Sequence, residues 1–162
     1  MCNKVIFLDL DGVLNVEDGI HSTFFKYKDL YFEPELVERF NSLIERLPEN
    51  VKIVISSSWR TDMEDLEECL KDAGFLHWDR VIGKTPSIKS GSRFNEIIKY
   101  LELNKKVKRF IIIDDYPHNM PEPLVSIKVP HGALGAFVKT DPRHGLEEKH
   151  CEYIENKLGG DA

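Results

Sequence analysis

The stretch Val5-Ile6-Phe7-Leu8-Asp9-Leu10-Asp11-Gly12 decides how the chain is read. Four apolar residues, two of them β-branched, form a run too short for a helix and suited to a buried strand. Strand side chains alternate in direction, so Asp9 and Asp11 are expected on one side where the run ends, with Gly12 letting the backbone turn away sharply. Two carboxylates in one small space repel each other unless a cation neutralises them or one of them holds a proton. Taken alone, the same four residues also suit an ordinary turn closing a strand, where Asp and Gly are common.

Outward from this stretch, similar apolar runs recur at residues 51–55, 110–113 and 124–127. Continuous β-branched runs of this length fit strands covered on both faces, as in a parallel sheet. Helical patterns lie between them. Leu36, Val37, Phe40, Leu43, Ile44 and Leu47 share one helix face, with Pro34 near its start and Pro48 at its end. Thr61 precedes Glu64 by three residues, a capping-box spacing, and Met63, Leu66, Leu70 and Ala73 follow on one face up to Gly74. Ser92 opens a third pattern through Phe94, Ile97, Ile98 and Leu101; Leu146, Tyr153, Ile154 and Leu158 suggest a fourth before Gly159. Strands alternating with helices predict a three-layer, Rossmann-like α/β fold with a central, mostly parallel sheet. Its ligand crevice should lie beyond the carboxyl ends of the strands. The stretches 13–33, 75–92 and 114–145 carry no clear period, and one domain over residues 1–162 is expected.

The bulk properties agree with a globular chain. Of 162 residues, 41% are hydrophobic and 31% charged, which excludes the composition of a disordered protein. Cys2, Cys69 and Cys151 are scattered and odd in number, so no disulfide framework or zinc CxxC pair is expected, and a reducing cytoplasm suits them. Apolar runs of four residues fall far short of the ~18 needed to cross a bilayer. No secretory signal is expected either, since Asp9 and Asp11 interrupt the only candidate apolar region. The formal charge of −6 disfavours long-range attraction to a polyanion while leaving room for a local basic patch. A calcium-binding EF-hand starting at Asp9 fails on Val13, Leu14 and Ile20, which stand where the loop needs an oxygen ligand, a glycine and a glutamate.

Two further strand ends carry polar clusters. Ile55-Ser56-Ser57-Ser58-Trp59-Arg60 places hydroxyls and free backbone N–H groups at a strand-to-helix junction, where they can grip phosphoryl oxygens or simply cap the next turn. Ile111-Ile112-Ile113-Asp114-Asp115 sets two carboxylates directly after three isoleucines, which is costly unless they meet a cation. Oxygen ligands of this kind suit magnesium. The histidines at 21, 77, 118, 131, 144 and 150 show no compact metal spacing. His118 stands out only because it follows the paired aspartates in a loop expected to face the crevice, and a turn role beside Pro117 is the simpler reading.

DxDG, a serine cluster and a DD pair at successive strand ends together resemble the motifs of the haloacid dehalogenase (HAD) superfamily. The resemblance covers residues 5 to 115, with Asp9-Leu10-Asp11-Gly12-Val13-Leu14 as the first motif, the serines as the second and Asp114-Asp115 as the fourth. It implies a phosphatase in which Asp9 is the nucleophile and Asp11 the general acid and base. Asp9, Asp114 and the backbone carbonyl of Asp11 would hold Mg2+, with Asp115 supporting directly or through water. Ser57 is the first choice for the phosphate-binding hydroxyl, with Ser56 the alternative if the strand ends one residue earlier. The third-motif cation is open between Arg93, Lys84 and Lys89.

The segments after the first and second motifs are too short for a large cap, and by family resemblance such open sites serve macromolecular or extended substrates as well as small phosphoesters. The expected function is magnesium-dependent phosphomonoester hydrolysis through an aspartyl phosphate, on a small or macromolecular phosphorylated substrate, with nucleic acid among the candidates. The rival readings are a noncatalytic phosphate-binding or regulatory domain, a phosphotransferase, and a polynucleotide 3′-phosphatase. Phe24, Phe25, Lys26, Tyr27, Lys28, Tyr31 and Phe32 interleave aromatic and basic residues near the first motif. They suit a flap that packs on the domain or a surface that stacks bases and holds a flanking phosphate.

Overall fold

A computed structural model describes residues 3–16, 31–89, 91–116 and 118–160. In chain order the elements are β1 (Lys4–Leu8), α1 (Pro34–Arg46), β2 (Val51–Ile55), α2 (Met63–Asp72), β3 (Val81–Lys84), α3 (Arg93–Leu103), β4 (Arg109–Asp114), β5 (Ile127–Lys128), β6 (Leu134–Lys139) and α4 (Glu148–Leu158). Short 3-10 turns occupy Ser58–Thr61 and Trp78–Arg80. The six strands form one sheet in the order β3-β2-β1-β4-β6-β5, and every pairing is parallel except that of β5 with β6.

Alternation along the strands sends side chains to two cores. Ile6, Leu8, Ile53, Ile55, Ile111 and Ile113 meet the apolar faces of α1, α2 and α4. Val5, Phe7, Val54, Phe110 and Ile112 face the other way, against Ile97 and Leu101 of α3. Three layers result, with β1 at the centre and buried throughout. Even Lys4 is buried: its ammonium donates to the carbonyl of Leu158 at 3.0 Å and to that of Gly160, so the chain's first lysine holds the carboxyl end of α4.

Three expectations need correction. Residues 124–127 do not form a central strand: Leu124 and Val125 are exposed, Leu124 has a φ of 66°, and only Ile127–Lys128 pairs, antiparallel, at the sheet edge. The inner position belongs to β6, whose Ala136, Phe137 and Val138 are buried. Gly135 makes this strand look broken in sequence, yet a glycine is needed there because a Cβ would overlap the Phe110 ring. α2 is capped by Asp62, whose carboxylate accepts from the Asp65 N–H at 3.1 Å, because Thr61 is taken up in the preceding 3-10 turn. Leu146 precedes α4, which opens on a reciprocal cap between Glu147 and His150. Between β2 and β3 the described residues hold only α2 and the two turns, with no inserted domain. No helix among the described residues is long and apolar enough to cross a membrane.

Candidate active site

The register of the sheet positions the site. Leu8 pairs with Ile55 on one side and Ile113 on the other, so the next positions, Asp9, Ser56 and Asp114, lie level on three adjacent strands. The ladder runs on to this level, with the Asp9 N–H donating to Ile113 O at 3.0 Å and the Ser56 N–H to Leu8 O at 2.8 Å. By alternation all three belong to the α3 side of the sheet, one step beyond Phe7, Val54 and Ile112. From the first turn of α3, Arg93 reaches over them. One of its terminal nitrogens lies 2.8 Å from Asp9 Oδ1 and 3.0 Å from Asp114 Oδ2.

Beyond this level the chain leaves the sheet. Gly12 has a φ of 78°, and a Cβ on it would overlap the Asp115 carboxylate, so glycine is required by conformation and by space. Asp9, Asp114 and Asp115 each offer an oxygen within 4.8 Å of the others. This cluster, and not an Asp9–Asp11 pair, is the crowded one. Its electrostatics show the strain: burial and then the Asp114 charge hold the Asp9 pKa well above the usual carboxylate range, against the pull of Arg93. Burial and Asp114 likewise push Asp115 up to about 6. Burial works against the Arg93 charge but is outweighed by Asp9 and Asp114, which raise its pKa and keep it protonated. Three hard oxygen donors with a charge deficit at their centre fit a divalent cation such as Mg2+.

Asp11 stands apart from that cluster. Its Oδ1 accepts from Asn15 Nδ2 at 3.1 Å and its Oδ2 from the Trp59 indole N–H at 3.0 Å. Asn15 is buried, accepts from the Gly12 N–H at 2.9 Å and also donates to Tyr31 O. The turn that carries Asp11 is therefore held from inside the fold. Thr140 holds it from the β6 side, donating its hydroxyl to Gly12 O at 2.8 Å and its N–H to Asp114 O at 3.0 Å. Asn15, Trp59 and Thr140 escaped the reading of the sequence as site residues. Asn15 and Trp59 lie within a few residues of the motifs, whereas nothing near Thr140 signals its role.

The two serines differ. Ser57 Oγ accepts from the Trp59 N–H at 3.2 Å and caps the 3-10 turn. Ser56 Oγ is buried with no hydrogen-bond partner. Of the three candidate cations, Arg93 alone contacts the carboxylates. Lys84 sits at the end of the edge strand β3 and donates to Arg60 O at 3.0 Å, and Lys89 is exposed. Arg60 ties the serine turn to α3 through a 2.7 Å ion pair with the buried Glu96. An open cleft of about 440 Å³ begins at Arg93 and runs between the 3-10 turn and the loop after β4. Of the interleaved aromatic and basic stretch, Phe24 to Lys28 lie outside the described residues; Tyr31 is half-buried and Phe32 buried.

The arrangement can therefore hold a divalent cation and a phosphoryl group between β1, β2, β4 and the start of α3. A family model described as the HAD domain in Swiss Army Knife RNA repair proteins matches residues 5–151. No curated protein and no solved structure matches the chain significantly. The match spans every element from β1 into α4 and includes all three motif-bearing strand ends, so the chain belongs to this family of HAD domains.

Proposed function

We propose that this protein is a magnesium-dependent phosphomonoesterase acting on phosphorylated ends of nucleic acid through an aspartyl-phosphate intermediate. The observation that carries the reading is the level row of Asp9, Ser56 and Asp114, bridged by Arg93 and completed by Asp115.

Asp9, Asp114 and Asp115, with the backbone carbonyl of Asp11, would hold Mg2+, whose charge neutralises the carboxylates and the phosphoryl oxygens when bound. Asp9 attacks phosphorus with one carboxylate oxygen, and the bond from phosphorus to the ester oxygen breaks. Asp11, steadied by Trp59 and Asn15, protonates the leaving oxygen, then takes a proton from the water that cleaves the aspartyl phosphate. Arg93 and the Ser56 hydroxyl bind the phosphoryl oxygens. Ser56 takes this role in place of Ser57 because its Oγ is the buried donor left without a partner, and such a group is costly unless a ligand uses it. The RNA-repair description of the matching family supports nucleic acid as the carrier of the phosphate.

The test is turnover of 3′- and 5′-phosphorylated oligoribonucleotides and of a small aryl phosphate by the parent protein and by Asp9→Asn, Ser56→Ala and Ser57→Ala. Asp9→Asn should remove activity without unfolding, and Ser56→Ala should cost more than Ser57→Ala. Near-normal turnover by folded Asp9→Asn overturns the mechanism. Preference for the aryl ester over both oligonucleotides overturns the substrate class.

A further inference from the structure

Tyr116 and His118 lie just beyond the paired aspartates, and neither belongs to either core. Tyr116 is 55% exposed and His118 is exposed too, yet their ring centroids lie 4.7 Å apart at a tilt of 42°. An aromatic pair held in water gains little for the fold and leaves ring faces open to a ligand. We infer that this pair is a stacking platform for the terminal base of the phosphorylated strand; the inference rests on the phosphatase reading above and specifies its substrate.

Three observations carry it. The platform is fixed to the reacting groups, because the Tyr116 N–H donates to Asp114 Oδ1 at 2.9 Å. Both rings line the cleft that also takes in Arg93, whose guanidinium touches Asp9, so a phosphate held at Arg93 and a base on the rings would share one space. The same cleft is lined by Ser58, Ser87 and Ser92 and by the Arg60–Glu96 ion pair, polar groups suited to a sugar. At about 440 Å³ the cleft falls within the ~300–1,000 Å³ range of small-ligand sites and can take one nucleotide. Aromatic rings in a cleft lined by such polar groups match an unpaired base on its sugar, the form in which single-stranded RNA is commonly read.

The test compares two oligoribonucleotides with the same terminal phosphate, one with an intact terminal nucleotide and one with that nucleotide lacking its base. The proteins are the parent and Tyr116→Ala/His118→Ala, which keeps the backbone N–H that Asp114 accepts. The parent should favour the intact end in kcat/KM by about tenfold or more, from the usual strength of one base–aromatic stack, and the double variant should bring that ratio close to one. Affinities of the same two oligonucleotides, measured by fluorescence anisotropy on Asp9→Asn with and without the double change, give a readout independent of turnover. Equal handling of both ends by the parent, or a preference that survives in the double variant, overturns the platform. Base-dependent binding that the double variant loses, without any turnover by the parent, keeps the platform and overturns the hydrolase reading instead.

Discussion

Replacing Arg93 with methionine separates the two charges the site must manage. Arg93 lies 2.8 Å from Asp9 and 3.0 Å from Asp114, and these carboxylates are 5% and 0% exposed. Each pair is worth on the order of 4 kcal/mol in gross attraction at the effective dielectric of such sites, offset by the cost of burying the charges. Removing one partner of a buried pair typically costs about 3–5 kcal/mol. The metal-free variant should therefore melt roughly 6–20 °C lower, and at the low end of that range because Asp9 can relieve the repulsion by taking a proton. Added Mg2+ should restore more stability in the variant than in the parent, since the cation then meets three carboxylates with no competing guanidinium. Catalysis should behave in the opposite way. A lost preorganised donor to the phosphoryl group is worth about 10²–10³-fold in rate, which tighter metal binding cannot replace. Thermal melts across a magnesium titration and kcat/KM on a phosphorylated oligonucleotide test both halves. Turnover within about threefold of the parent, or a smaller magnesium-induced rise in Tm for the variant, would refute the assignment.

Trp59→Phe deletes the 3.0 Å indole hydrogen bond to Asp11 while keeping an aromatic ring against the core, and should slow poor leaving groups by about tenfold and activated aryl esters much less. Equal losses across a leaving-group series would detach Trp59 from acid–base chemistry. Gly12→Ala should raise the magnesium concentration needed for half-maximal rate, because its Cβ displaces Asp115. Gly74→Ala, with a φ of 104° but open space around it, should lower Tm alone. Matching magnesium curves for the two would contradict the close-packing argument. For pH, Asp115 is raised to about 6 in the folded chain, so its contribution to metal-free stability is present below its unfolded value of about 4 and lost as pH rises through about 6. Melts in chelator should favour pH 5 over pH 7.5 at this cluster, and Mg2+ should stabilise more at pH 7.5, where protons no longer compete. A magnesium effect of equal size at both values would argue against these carboxylates as the ligands.

The motif-bearing strands were legible because their side chains are buried on both faces, which leaves a continuous apolar run ending abruptly in polar residues. β3 and β6 were not: β3 is an edge strand of four residues with a glycine inside it, and β6 contains a glycine dictated by the distant Phe110 ring. The order of acidic and hydroxyl residues along the chain was equally readable, but the choices among them were not. Ser56 and Ser57 differ by one step in register, and that step is fixed by pairing with β1, a contact made across the sequence. Arg93, Lys84 and Lys89 look alike as cations; α3 folding over the sheet brings the first to the carboxylates, while Lys84 ends at a carbonyl of the serine turn. Asp11 lies outside the Asp9–Asp114–Asp115 cluster because the strand ends at Leu8 and the chain turns from Leu10, whose carbonyl accepts from the Val13 and Leu14 N–H groups, sooner than strand alternation assumes.

The ladder of the sheet outlasts its strands by one residue at each end that matters. The amides of Asp9, Ser56, Thr85 and Thr140 donate to Ile113, Leu8, Ile55 and Asp114 in turn. The proposed nucleophile and phosphate hydroxyl thus have backbones held by the same bonds as the core, not by a loop that can open alone. Their amide protons should exchange with solvent only on the slow timescale of the whole sheet, and loosening of the surrounding surface would leave their spacing unchanged. A site fastened in this way leaves any accommodation of different substrates to the loops around it, while the level of Asp9, Ser56 and Asp114 stays as rigid as the interior.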